Sequence, residues 1–438
     1  MKAVASSLAR AAAATAIGLL VVLVIIELGG AAFFYLQNHK LVYLNDAPAA
    51  APAPADENTY KQRLHPYFGF AGPYSVTYQT SLGTMYTNSL GFFQREKLTL
   101  PFARSDSDFV VAVFGGSVAA NLVLTPRGGV QLGPALEKLP ALKGRRVVVI
   151  NMAQGSGKQP QQLIELAFLL ALGQSIDLAI TVDGFNELAL GLESYRNGLD
   201  PILPAGLILG GLAQEVMPAT SGSVEYYEIA YHVSATKREV ERHERAAQSA
   251  RWGTAYLVDR TLLTLDNLAL RKYLQRYNEA VSAAGDWPAR KKMLGLDMPV
   301  DANKADKVPE LYELWLRSAR QMQLLATANH IGYLHIVQPN QYYSRKAFTE
   351  REKEVALSLP PDHAYRVALA DGYRTLEAQM PALQERGVIS AIPLFDAIRE
   401  DIYIDNCCHF NARGETMLAE FVAARAGDWL AAKTAPRP

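Results

Sequence analysis

The chain has 438 residues, half of them hydrophobic, and its 43 Lys and Arg balance 43 Asp and Glu. That length supports a large single-core domain with an appendage, and with no strongly basic lobe a nucleic-acid footprint is excluded. The only two cysteines, Cys407 and Cys408, are adjacent, so they cannot staple distant segments and lack the spacing of a zinc site.

Residues 1–40 read as a transmembrane anchor. Between Arg10 and Glu27 lie 16 uncharged residues, and apolar character resumes through Ala31, Ala32, Phe33, Phe34 and Tyr35. A helix from Ala11 to Tyr35 is long enough to cross a hydrocarbon core of about 30 Å. Lys2 and Arg10 on the leading segment favour a cytoplasmic N-terminus, which sends the remainder across the membrane. Glu27 is expensive in lipid and has to snorkel or find a partner. The competing reading is a signal peptide cut near Gly29-Gly30-Ala31-Ala32. Phe33, Phe34 and Tyr35 beyond that point favour the uncleaved anchor, and both readings export the rest. Residues 41–59 form a linker whose Ala/Pro run, Ala47 to Ala55, is an extended spacer with no core-forming pattern.

The globular part spans 60–438. Short β-branched apolar runs predict strands at Phe109–Gly115, Arg146–Asn151, Asp177–Asp183, Tyr333–Val337 and Val388–Phe395. Helical patterns lie near Gln161–Leu172, Glu310–His330 and His363–Arg386, with a last helix after Asn411. Strands alternating with helices predict a doubly wound α/β fold with a parallel sheet. The stretch 189–305 breaks that rhythm. It opens with a Gly/Pro-rich loop, Pro201 to Gly211, and continues as polar amphipathic helix around Val224–Ala250 and Thr261–Ala284. It reads as a helical insertion over the sheet, a candidate lid.

Four blocks fall where predicted strands end or before the last helix, and ligand crevices of open α/β sheets form at the carboxyl ends of strands. Gly115-Gly116-Ser117 follows the first strand; two glycines permit a tight turn, and Ser117 can offer both its hydroxyl and its own N–H to a substrate. A plain turn capping a helix is the competing reading. Gln154-Gly155-Ser156-Gly157 follows the second strand and exposes backbone N–H groups, as an ordinary turn also would. Asp183-Gly184-Phe185-Asn186-Glu187 follows the third strand, where the Asn186 amide is either an oxyanion donor or a helix cap. In Asp405-Asn406-Cys407-Cys408-His409, a carboxylate lies four residues before a histidine, and a base needs such an acceptor on its second ring nitrogen. The other seven histidines have no comparable setting and read as packed or solvated. After the fourth strand, Gln338-Pro339-Asn340-Gln341 would line the same crevice, with Gln338 and Asn340 binding substrate hydroxyls or simply forming a polar loop.

In this order the four blocks resemble the SGNH (GDSL-like) hydrolase family over about Phe109–Leu190 and Gly332–Leu430. Upstream, His65-Pro66-Tyr67-Phe68-Gly69-Phe70 and Asn88-Ser89-Leu90-Gly91-Phe92 look like the lead-in of membrane-anchored bacterial members. The resemblance implies a three-layer αβα fold around a flavodoxin-like parallel sheet. It implies Ser117 as nucleophile, His409 as base and Asp405 as its orienter. The oxyanion hole would be Ser117, Asn186 and a glycine at 155 or 157. Two departures stand out. The family's usual aspartate position is held here by Asn406, with Asp405 one residue further back, and the first block reads Gly-Gly-Ser rather than Gly-Asp-Ser.

A rival α/β-hydrolase elbow, Gly-x-Ser-x-Gly, fails at Ala119, and in that fold the serine would not follow the first strand of the domain. The expected activity is therefore a serine esterase or O-acyltransferase acting through an acyl-serine, with no metal and no organic cofactor. The expected substrate is an O-acetylated cell-envelope glycan, with a lipid or simple ester as runner-up; the membrane enters as partner through the N-terminal helix. A non-catalytic carbohydrate-binding scaffold is the alternative from another class.

Overall fold

The computed structural model describes residues 2–45, 62–80, 83–206, 208–209, 212, 224–283 and 307–434. The Ala/Pro spacer lies outside the described residues. The chain divides into two compact units, Met1–Thr59 with Pro218–Trp287, and Tyr60–Met217 with Pro288–Pro438.

The larger unit is a mixed α/β structure. Short antiparallel pieces open it: β1 (Arg63–His65) pairs with β2 (Gly69–Ala71), and β3 (Thr77–Thr80), β4 (Gly83–Thr87) and β5 (Phe93–Gln94) form a second small sheet. The main sheet has five strands, β6 (Asp108–Gly115), β7 (Arg146–Asn151), β8 (Leu178–Asp183), β9 (Gly332–Val337) and β10 (Val388–Ser390). Every pairing is parallel, in the order β7-β6-β8-β9-β10. Numbered in chain order, the main strands run 2-1-3-4-5, so the direction of winding reverses between β6 and β8. In open α/β sheets such a reversal is where the ligand crevice forms, outside the strands' carboxyl ends.

Each residue of β6 and β8 is buried, which is why both read as unbroken apolar runs. Side chains alternate along β6. Phe109, Val111 and Val113 join one apolar cluster, while Val110, Ala112 and Phe114 join another with Leu166, Leu169, Met322 and Ala326. The helices of this unit are α2 (Ser117–Leu124), α3 (Leu132–Glu137), α4 (Gln161–Ala171), α5 (Phe185–Arg196), α8 (Val308–Ala328), α9 (Glu350–Ala356), α10 (Ala364–Glu385) and α11 (Ala412–Thr434). The predicted strand over Val388–Phe395 is shorter than expected. Pro393 has no N–H for a ladder, and a 3₁₀ turn over Ile392–Phe395 takes over after Ser390.

The smaller unit joins α1 (Lys2–Asn38), a 3₁₀ turn at Val42–Leu44, α6 (Val224–Gln248) and α7 (Gly253–Ala283). The expected insertion over 189–305 is corrected on two counts. Its opening residues form α5, which directly follows β8 in the sheet unit. Its two long helices cluster with the N-terminal helix. One stretch, Ala13–Asn38, is long and apolar enough to cross a membrane. Within it, Glu27 finds the partner that its chemistry requires. Its carboxylate accepts from the N–H groups of Gly253 (2.7 Å) and Thr254 (2.8 Å), the Thr254 hydroxyl (2.6 Å) and the Tyr43 hydroxyl (2.9 Å). A negative charge thus sits on the N-terminus of α7, where helix N–H groups lack partners. Gly30 lets the helices meet: a Cβ there would lie 2.1 Å from Gly253 O.

Candidate active site

The first block sits at the winding reversal. β6 ends at Gly115, whose φ of +142° is a glycine conformation, and α2 begins at Ser117. A Cβ on Gly115 would meet Val182 O at 2.2 Å. On Gly116 it would fall 2.1 Å from Asn186 Nδ2. The Gly-Gly pair therefore lets the Ser117 turn nestle against β8 and the Asn186 amide, which explains why no side chain follows Gly115 here.

Ser117 Oγ lies 2.7 Å from His409 Nε2, and His409 Nδ1 lies 2.5 Å from Asp405 Oδ2. That serine and that histidine stand 292 positions apart in the chain; the fold brings them into hydrogen-bond contact. The unusual four-residue step from Asp405 to His409 works through a curled loop. Asp405 Oδ1 accepts the successive N–H groups of Cys407 (2.9 Å), Cys408 (3.1 Å) and His409 (3.3 Å), leaving Oδ2 for the imidazole. A bridge between Tyr403 and Phe410 closes the base of this loop. Asn406, at the position where the related pattern carries aspartate, instead donates to Ser358 Oγ at 3.2 Å. Burial of Asp405 opposes its ionisation, but the hydrogen bond and charge of His409 and the loop N–H groups outweigh that and hold its carboxyl at about 2.

Asn186 lies in the first turn of α5, and its Nδ2 donates one hydrogen to Gly157 O at 2.7 Å while lying against Gly116. Of the two candidate glycines, Gly157 is the one in this cluster: a Cβ on it would lie 2.7 Å from Gly115 O. Its own N–H donates to Gln154 O at 3.0 Å. Gly155 is exposed and has open space where a Cβ would go. Glu187 ties the second and third blocks together, accepting from Gly184 N (2.8 Å), Gln159 N (3.0 Å) and Gln162 Nε2 (3.0 Å). Burial, with the nearby Asp183 charge, raises its carboxyl well above the ordinary range.

The expected substrate-facing role of Gln338 and Asn340 is corrected. Both are buried, at 3% and 0% exposure. Asn340 serves the histidine loop, and sequence reasoning missed that its neighbours do too. Asn340 Nδ2 donates to Cys407 O (3.1 Å), Gln341 Nε2 to Asp405 O (3.0 Å) and the Tyr342 hydroxyl to Asn406 O (2.5 Å). Three consecutive side chains thus hold three consecutive carbonyls. Glu352 holds the loop's approach, accepting from Ile402 N (2.8 Å) and Tyr403 N (3.1 Å) while paired with the buried Lys346 Nζ at 2.6 Å. The signal for these roles was faint: a polar run after a strand reads the same whether it faces substrate or another loop.

A cavity of about 490 Å³ opens beyond Tyr342, lined by Tyr343, Arg345, Glu377, Ser390 and Asp396 among others. Among the described residues, Cys407, Cys408 and His409 form a cluster with metal-ligand atoms within 4.8 Å of one another, but both ring nitrogens of His409 are already engaged. A comparison of the sequence with protein-family models and with curated proteins finds no match.

Proposed function

We propose that this chain is a membrane-anchored serine esterase or O-acyltransferase of SGNH type, with a three-layer αβα domain held outside the cytoplasm. One observation carries the reading: the unbroken hydrogen-bonded series Asp405–His409–Ser117 at the winding reversal of a parallel sheet. Serine hydroxyls are weak nucleophiles, and a histidine in contact with a carboxylate is what activates them.

In this mechanism His409 Nε2 takes the Ser117 proton while Oγ attacks an ester carbonyl. Asp405 Oδ2 holds the ring through Nδ1–H and stabilises the imidazolium. The Ser117 N–H, at the first turn of α2, and the free Asn186 amide hydrogen face the developing oxyanion. His409 then returns the proton to the departing alcohol, leaving an acyl-serine. Water or a sugar hydroxyl, deprotonated by His409, attacks that acyl group and releases Ser117.

The apolar N-terminal helix favours a substrate at the cell envelope, and an O-acetylated glycan fits best. A serine-directed phosphonate should label the full chain in detergent at Ser117 alone. Labelling should vanish in Ser117→Ala and fall at least a hundredfold in His409→Ala. Absence of labelling in folded wild type would end the hydrolase reading and leave the carbohydrate-binding scaffold. Turnover of a chromogenic acetyl ester, with and without an oligosaccharide acceptor, would then separate hydrolysis from transfer.

A further inference from the structure

The mechanism leaves unused two nucleophilic groups that abut it. Cys407 and Cys408 directly precede His409, and their sulfurs lie 3.1 Å apart. Cys407 is half-buried and Cys408 is buried, one residue before His409. We propose that this pair is a covalent modification site: a vicinal dithiol that an oxidised disulfide converts to a ring disulfide, which loosens the Asp405–His409 support. The coupling to activity rests on the acyl-transfer reading; the modification itself does not.

The chemistry balances with a named reactant. The Cys407 thiolate attacks one sulfur of R–S–S–R and expels one thiol. Cys408 then displaces the second R–S group, closing the Cys407–Cys408 bond. Two protein thiols become one disulfide, and R–S–S–R is reduced to two R–SH. A metal at the same place is the weaker choice, because it would have to take His409 from Asp405 or from Ser117.

The consequence follows from the peptide that joins the two cysteines. Adjacent Cα atoms across a trans peptide are about 3.8 Å apart, short of the roughly 4.4 Å at which ordinary disulfides begin. Closing the ring at that fixed separation therefore strains it, and the strain is relieved by rotating the joining peptide about its flanking dihedrals. Its N–H is the Cys408 donor to Asp405 Oδ1, and its carbonyl is the Cys407 acceptor of Asn340. Turning it breaks both bonds, removing one of the three N–H donors on Asp405 Oδ1 together with the Asn340 tether, and so loosens the loop that aims His409. A ring strained in this way is readily reduced, so the change reverses under a thiol reductant.

The test uses the full chain in detergent, treated with oxidised glutathione and then with dithiothreitol. The tryptic peptide Glu400–Arg413 should lose 2 Da without gaining glutathione. Phosphonate labelling of Ser117 should fall at least tenfold on oxidation and return on reduction. In Cys407→Ser the ratio of oxidised to untreated labelling should stay near one. A glutathione adduct on Cys407 that never closes would overturn the proposal, and so would a closed ring with undiminished labelling. A closed ring in a protein that takes no label even when untreated would overturn the acyl-transfer reading and leave the dithiol site standing.

Discussion

Asn186 shows how a single side chain can carry two duties: one amide hydrogen tethers Gly157, and the proposed mechanism gives the other to the oxyanion. Asn186→Ala should lower kcat more than it raises KM, by about 2.7–4 kcal/mol if it donates to the oxyanion as single donors do elsewhere. An unchanged rate in a folded variant would reduce it to a tether. Asp405 makes a pH statement. Its folded-state carboxyl lies below the ordinary value, so the stability from its ion pair and loop bonds is whole above about 4. That stability is lost as pH falls towards about 2. Asp405→Asn should flatten the wild-type loss of thermal stability across that acid window; an unaltered slope would show that the carboxylate is not held as described. The residue types and their order were legible in the sequence, because serine and asparagine follow strand ends and histidine precedes the last helix. Their supports were not. Asn340, Gln341 and Tyr342 act through carbonyls more than sixty residues away, and no local pattern announces that.

Among elements, strands β6 and β8 were readable because burial on both faces demands unbroken apolar runs. The short helices α2, α3 and α9 were not, since each runs only six to eight residues and shows too few turns for a periodic signal. The Glu27 contact lay beyond any local reading, because its partners stand 226 and 227 residues on. That contact explains why an acid interrupts an apolar helix. Glu27→Gln keeps the shape and an acceptor oxygen but removes the charge from the N-terminus of α7, so it should be tolerated better than Glu27→Ala. Limited proteolysis of the full chain in detergent should cut between α6 and α7 faster in Glu27→Ala than in wild type. Equal rates would show that the carboxylate does not secure the α7 N-terminus. Tyr342→Phe tests the support of the histidine loop. Loss of its bond to Asn406 O should lower kcat severalfold with little change in KM for a small ester.

At the scale of the whole molecule, the membrane-anchored reading raises the question of where lipid ends along α1. Seventeen helical steps from Arg10 to Glu27 span about 26 Å at 1.5 Å per residue, close to the hydrocarbon thickness of about 30 Å once both charged ends snorkel. Beyond Glu27 the helix packs on α7 through Gly30 and Phe34, the latter edge-on to Tyr256 at 4.9 Å. That stretch of α7 carries Asp259, which pairs with His243 of α6 at 2.9 Å, and Arg260 follows it. Charged helices of this kind belong in water, so the upper third of α1 belongs there with them. Tyr43 and the exposed Trp252, with rings 6.1 Å apart, stand at the Glu27 level, where amphipathic aromatic rings favour the lipid–water interface. On the membrane-anchored reading the boundary would fall at Glu27, earlier than hydropathy alone draws it, since Leu28, Phe33 and Leu36 read as apolar whether lipid or protein surrounds them. Single cysteines placed in a Cys407→Ser, Cys408→Ser background and probed in intact vesicles decide the point. Leu36→Cys should react with a membrane-impermeant maleimide from the face that bears the sheet domain, and Val22→Cys should not. Protection at both positions would move the boundary to the end of α1 and bring the tip of the α6–α7 hairpin into the bilayer; reaction at both would mean that α1 does not span a membrane at all.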